Sequence, residues 1–182
     1  MHNTLLMILA IDVCYHDHGA TVAGLAFSDW SDTTAAATYI SQVHDVAPYQ
    51  SGQFYQRELP CILQLLHEHQ LRPQLIILDG YVDLDAHGRA GLGRHLYNAL
   101  AQQIPVIGVA KKPFVDGDAD WAIYRGDSER ALYVTCAGVP LAQAKHDIVQ
   151  MAGKHRLPIL LKAVDRLCRD ALPTDATQMS IE

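Results

Sequence analysis

Leu75-Ile76-Ile77-Leu78-Asp79-Gly80 is an unbroken apolar run that ends in a carboxylate and a glycine. Such a run after Pro73 fits a strand buried on both faces, the kind found inside a parallel sheet. Parallel sheets present functional groups beyond the carboxyl ends of their strands, which is where Asp79 stands. Chemistry-bearing residues crowd the segment that follows: Tyr81, Asp83, Asp85, His87, Arg89 and His95, with Gly91 and Gly93 among them. A second apolar run, Leu5–Ala10, leads into Asp12. Two core strands that each deliver an Asp make a minimal metal-binding pair. The chain is expected to bring Asp12, Glu58 and Asp79 together.

Working outward, Asn3–Tyr15, Ala20–Ser28 and Ala35–Val46 read as three strands joined by short polar turns, an antiparallel meander. Gly24 interrupts the second and marks a bulge or a close backbone approach. Ser51–Gln70 has helical spacing in Phe54, Leu59, Ile62, Leu65 and Leu66, with Ser51 as its expected N-cap. Gln74–Asp79 is strand four, Gly91–Gln103 a second helix and Val106–Ala110 strand five. Ala122–Tyr124 and Ala131–Thr135 form a hairpin around Gly126-Asp127; Ala142–Ala152 and Ile159–Ala171 are helices. The pattern predicts an α/β domain with a mixed central sheet flanked by helices, the three-stranded meander plus parallel strands. Residues 1–172 are expected to make one domain and 173–182 a mobile tail. The layout is that of ribonuclease H-like folds, which does not by itself license a function.

A chain of 182 residues, 49% hydrophobic and 19% charged, is ordinary for a globular protein with a full core. The net charge of −6 argues against gripping nucleic acid by charge alone. The charge is uneven: before Lys111 the only basic residues are Arg57, Arg72, Arg89 and Arg94, and from Lys111 onward they are frequent. An acidic, metal-binding half beside a more basic half suits a polyanionic substrate. The four cysteines, Cys14, Cys61, Cys136 and Cys168, show no C-x-x-C spacing, which excludes a zinc or redox motif of that kind. No signal peptide and no membrane span are expected, and a reducing cytoplasm is the default. No feature sets an oligomeric state.

Phosphodiester hydrolysis needs charge neutralised at the phosphate and a water made nucleophilic, and divalent ions held by carboxylates do both. Mg²⁺ takes hard oxygen ligands and keeps several waters, so two or three carboxylates suffice. Asp12 and Asp79 on neighbouring strands, with Glu58 on a flanking helix, supply that number. Lys111, just past strand five, is placed to stabilise the phosphate, and His87 and His95 to contact it or donate protons. Bland roles stand beside these. A lone Asp at a strand end is usually a turn or cap residue. A mid-helix Glu is usually solvated, Tyr49 reads equally as a half-buried loop aromatic, Lys111 as a strand cap, and Arg89 as a partner for Asp83 or Asp85.

Several segments, in order, resemble the endonuclease V family, nucleases that recognise inosine in nucleic acid. Ile11-Asp12-Val13-Cys14-Tyr15 is similar to its Val-Asp-Val-Ser-Tyr strand. Pro48-Tyr49, Gly52, Arg57-Glu58 and Pro60 resemble its Pro-Tyr-x-x-Gly-x-x-x-x-Arg-Glu-x-Pro segment. Leu78-Asp79-Gly80 with His87, Arg89 and His95 resembles its Asp-Gly…His-Pro-Arg…His segment, and Ile104–Lys111 its Ile-Pro-x-Ile-Gly-Val-Ala-Lys run. A weaker tail lies at Arg156-Leu157-Pro158 and Asp165. The resemblance implies a Mg²⁺- or Mn²⁺-dependent endonuclease acting near inosine or another deaminated base in DNA or RNA. It implies that Asp12, Glu58 and Asp79 hold metal and act with Lys111. Tyr49, which would wedge into the base stack, and Gly52, Gly80, His87, Arg89 and His95 would contact substrate.

The chain also departs from the family. Its Ser-Pro-Gly-His stretch aligns with Thr135-Cys136-Ala137-Gly138-Val139, which puts Val139 where relatives place a His or an acid. Leu157-Pro158-Ile159-Leu160 replaces Leu-Pro-Glu-Pro, and Gly88 follows His87 in place of Pro. A lost ligand predicts slow cleavage and a preference for Mn²⁺ over Mg²⁺. It also opens an alternative, a non-catalytic relative that binds nucleic acid or protein. A different ribonuclease H-like enzyme is the remaining class, opposed by Pro48-Tyr49 and Gly52.

Overall fold

The computed structural model describes residues 6–173, so the expected tail from position 174 and the first residues of the expected strand one lie outside the described residues. Seven strands form one mixed sheet in the order β3-β2-β1-β4-β5-β7-β6. They are β1 (Ile8–His16), β2 (Gly19–Phe27), β3 (Ala37–Val43), β4 (Leu75–Asp79), β5 (Val106–Ala110), β6 (Ala122–Ile123) and β7 (Leu132–Ala137). The first three are the expected antiparallel meander. β1, β4 and β5 run parallel, and β7 and β6 close the far edge antiparallel. This is the mixed, helix-flanked sheet of the ribonuclease H-like layout.

Alternation along the central strands divides the core. Ile8, Ala10, Leu75, Ile77, Ile107 and Val109 point to one face. There they pack under α3 (Leu141–Gln150) and α4 (Ile159–Asp170) through Ile148, Leu160 and Val164. Leu9, Ile11, Ile76 and Leu78 point to the other, against α1 (Tyr55–Glu68) and α2 (Leu92–Ala99) through Ile62, Leu65 and Leu96. Burying each of these large side chains contributes about 1.5–3 kcal/mol.

Element ends differ from expectation for local reasons. The first long helix starts at Tyr55, not near Ser51, because Gly52 takes a positive φ of 77° inside a turn; Phe54, with no side-chain cap, precedes the first turn. α2 stops at Ala99, since Ala101 and Gln102 adopt left-handed φ values of 53° and 58°. Gly24 makes no bulge, because the β1–β2 register runs through it unbroken. A Cβ there would meet the Leu65 side chain at 2.9 Å, so the glycine lets α1 close onto the sheet.

Candidate active site

The register sets the site. Ile11 pairs with Leu78, so Asp12 and Asp79, each one residue further on, stand side by side, Asp79 at the end of β4 and Asp12 where β1 leaves that pairing and runs on to His16. Parity sets the face: Asp12 lies two residues past Ala10, Asp79 two past Ile77 and Lys111 two past Val109. Those three apolar residues all point toward α3 and α4, and successive side chains alternate. The two carboxylates and the ammonium therefore share one face at one end of the sheet. Lys111 Nζ donates to Asp79 Oδ2 at 2.7 Å.

A fourth charged group closes the cleft from above. Leu160, Val164 and Cys168 anchor α4 on the sheet, and Cys168 Sγ donates to the Asp12 carbonyl at 3.3 Å and the Thr21 carbonyl at 3.0 Å. That seating brings Asp165 into a narrow cleft of about 20 Å³ with Asp12, Asp79 and Lys111, floored by Ile77, Val109 and Val164. Sequence reasoning noted Asp165 only as part of a weak family-like tail. In the chain it is one charge among many on an amphipathic helix, and nothing local says which way it faces.

The electrostatics follow from crowding. Burial raises the Asp12 carboxyl to about 7, helped by the charge of Asp79 and a hydrogen bond to Asp165. Glu58 is not solvated but 8% exposed. Burial, then the fields of Asp12 and Asp79, push it up to about 8 against the opposing pull of Arg57. Burial disfavours the charge on Lys111, but the bond to Asp79 and the fields of Asp79, Asp165 and Asp12 outweigh it and raise its pKa. Among the described residues no three His, Cys, Asp or Glu groups already stand close enough to hold a metal ion. The donor set nevertheless fits a hard dication: crowded oxygen ligands whose mutual repulsion a bound cation would relieve, around a space that admits one water-sized body.

The other expected residues lie on the loops leading into α1 and α2, except His95, which is on α2 itself. Tyr49 is 66% exposed, with the Arg57 guanidinium 6.0 Å from its ring centre. Gly52 and Gly80 have positive φ with open space where a Cβ would stand. The exposed His87 donates its backbone N–H to Asp85 at 2.9 Å. Arg89 reaches Asp85 and Asp116, each at 3.4 Å, whereas Asp83 is taken by Arg94 through two bonds of 2.9 and 2.7 Å. His95 stacks on Tyr55 at 3.6 Å, and burial lowers its pKa. Its imidazole is therefore neutral near pH 7, an acceptor or donor rather than a cation. Gly108 explains how the loop after Asp79 is held. A Cβ on it would strike the Gly80 carbonyl at 2.5 Å, and beside it the buried Thr135 hydroxyl accepts the Val82 N–H at 2.7 Å.

Val139 is a correction. β7 runs antiparallel to β5 with Ala137 opposite Val106, so Val139 follows the strand at the end of the sheet remote from Lys111. Four residue steps of β5 separate Val106 from Ala110, roughly 13 Å of strand. Val139 packs half-buried against the apolar cluster under α3. It replaces no ligand in the cleft, and the expectation of slow, Mn²⁺-preferring cleavage loses its basis.

The family model for endonuclease V matches residues 1–166. An endonuclease V of Streptomyces avermitilis is 31% identical, the alignment covering 91% of this chain and 80% of that one; one from Streptomyces coelicolor is 29% identical, covering 91% and 78%. The crystal structure of the endonuclease V from Streptomyces avermitilis superposes with a TM-score of 0.71 at 25% identity, covering 91% of this chain and 81% of the other. Endonuclease V of Ciona intestinalis, solved with a 24mer DNA containing an inosine followed by a ribo-adenosine, shares the fold with a TM-score of 0.74 at 20% identity, covering 94% and 87%.

Proposed function

Because this chain belongs to the endonuclease V family, we propose that it is a Mg²⁺- or Mn²⁺-dependent endonuclease that hydrolyses a phosphodiester near inosine or another deaminated base in DNA or RNA. The observation that carries the proposal is the convergence of Asp12 within β1, Asp79 at the end of β4 and Lys111 just past β5 on one face of the sheet, roofed by Asp165. Asp12 and Asp79, with Asp165 and Glu58 beside them, are the residues that would hold the cation. Such an ion neutralises phosphate charge and acidifies water when bound.

The chain's own groups do the rest. Lys111 orients Asp79 through their 2.7 Å bond and presents an ammonium to the scissile phosphate. Burial, then Asp79, then Asp165 beside it favour the protonated form of the Asp12 carboxyl. Exposed Tyr49 on its glycine-hinged loop would enter the base stack next to the recognised base. Gly80 leaves room for the substrate backbone, and His87, Arg89 and His95 contact it from the loop before α2 and from α2 itself. Residues 1–172 act as one domain. Four unpaired thiols suit a reducing cytoplasm, and among the described residues no helix is long and apolar enough to cross a membrane.

The non-catalytic alternative rested on Val139, which stands far from the cleft. The test is cleavage of end-labelled DNA and RNA strands with and without one inosine, with Mg²⁺, Mn²⁺ or EDTA. Inosine-dependent, metal-dependent cutting is expected. A protein that binds such strands but cuts none with either metal is a binding relative instead.

A further inference from the structure

The cleft is not a dead end. Leu157 and Asp165 line it and also line a broad open groove of about 1270 Å³ between α4 and the β2–β3 connection. One wall carries Lys154, Lys162 and Arg166, and the other Thr33, Thr34 and Thr38. All six are exposed, and the three cations make no ion pair or side-chain hydrogen bond among the described residues. Lys162 and Arg166 are one helical turn apart on the outer face of α4, about 6 Å along its axis. The acids in the groove do not cancel them: Asp165 is taken by Arg169 at 3.1 Å, and Asp170 lies at the far end of α4.

In a chain of net charge −6, an unpaired basic strip opening directly onto an acidic catalytic cleft is a local exception to the overall field. Leu25, Ala35, Leu157 and Leu160 floor the groove, but its exposed rims set three cations against three hydroxyls, a pairing that suits the phosphate and sugar oxygens of a strand lying along them. We propose that the sugar-phosphate backbone of the substrate strand, on one side of the cut, runs through this groove. Lys162 and Arg166 neutralise its phosphates, Lys154 guards the entrance, and the threonines donate from across. This rests on the nuclease reading and adds the path of the strand on the α4 side, opposite the loops of Tyr49 and His87.

The test measures binding of a fluorescent inosine-containing single strand, in EDTA, over a range of salt, for wild type and the Lys162→Gln/Arg166→Gln double variant. The expected result is roughly tenfold weaker binding and a salt slope shallower by about 1.4, two phosphates at about 0.7 each. One of two probes cut short on either side of inosine should weaken wild type by a similar factor and leave the variant unchanged. A variant that matches wild type in affinity and slope overturns the groove assignment. Wild type that neither binds nor cuts any inosine strand fells the nuclease reading and this inference with it; wild type that cuts beside an unaffected variant fells only the groove.

Discussion

Asp12 and Asp79 stand in the cleft on neighbouring strands, whereas Asp165 enters it from α4 and Glu58 lies on α1, on the opposite face of the sheet, near enough to feel their charge. The strand pair needs only register and alternation to meet. The helix pair depends on how α1 and α4 seat: Gly24 admits Leu65 beneath α1, and Cys168 ties α4 to the Asp12 backbone. A further tie holds the start of α4. The guanidinium of buried Arg125 donates to the carbonyls of Met151, Gly153, His155 and Arg156 in the loop that precedes it. Arg156 in turn donates to the Lys111 carbonyl at 3.3 Å, joining that loop to the strand end that carries the ammonium. Strand carboxylates are thus placed by the sheet itself, and helix carboxylates by long-range packing.

The largest effect should come from the strand pair. Asp79→Asn removes the charge proposed to hold the metal and the carboxylate partner of Lys111, and should lower the single-turnover cleavage rate about a thousandfold. A loss under tenfold would mean that the strand ends are not the catalytic floor. Asp165→Asn tests whether the helix pair works with the strand pair, and a drop on the order of a hundredfold is expected with little change in strand binding. Full activity in that variant would return Asp165 to the helix surface and break the comparison.

The pH dependence sharpens it further. In the folded protein Asp12 titrates near 7 and Glu58 near 8, both above their ordinary values. Raised carboxyl pKa values stabilise the fold below the unfolded values, near 4, and that stability is lost as pH rises through about 7 and 8. Without metal, the protein should therefore melt lower at pH 8.5 than at pH 5.5, as far as these groups decide it. Asp12→Asn should raise the Tm in EDTA at pH 8.5 by about 2–4 °C, with no gain at pH 5.5. Equal shifts at both pH values would show that charge crowding is not the cause. The smallest effect belongs to the remote end of β5: Val139→His should leave cleavage by each metal within about twofold. A clear rise in activity would mean that position reaches the cleft after all.

Much of this was legible before any coordinates. The apolar runs ending at Asp12, Asp79 and Lys111 read as core strands, and β5 has the bounds expected from its apolar run. The meander and the parallel strands follow from connection lengths: short polar turns permit only antiparallel neighbours, and intervening helices permit parallel ones. Glu58 was the harder case: a charge expected in mid-helix looks solvated, whereas the helix starts at Tyr55 and its first turn buries Glu58. Val139 failed for a similar reason. A motif alignment assigns a role by order in the chain, but the direction of β7 sends that residue to the wrong end of the sheet.

What the sequence determined by itself is the set of strands, the carboxylates they carry and the membership of a family of nucleases. Those are local or collinear properties, carried by runs of neighbouring residues. Only the tertiary structure decided that Asp165 roofs the cleft, that Val139 lies away from it, and that Lys162 and Arg166 line a groove opening from it. The physical reason is that a strand's facing repeats every two residues once its register is set, whereas a helix turns through every direction. Which of its side chains faces the site depends on packing against residues far away in the chain, here Asp12 and Thr21 against Cys168.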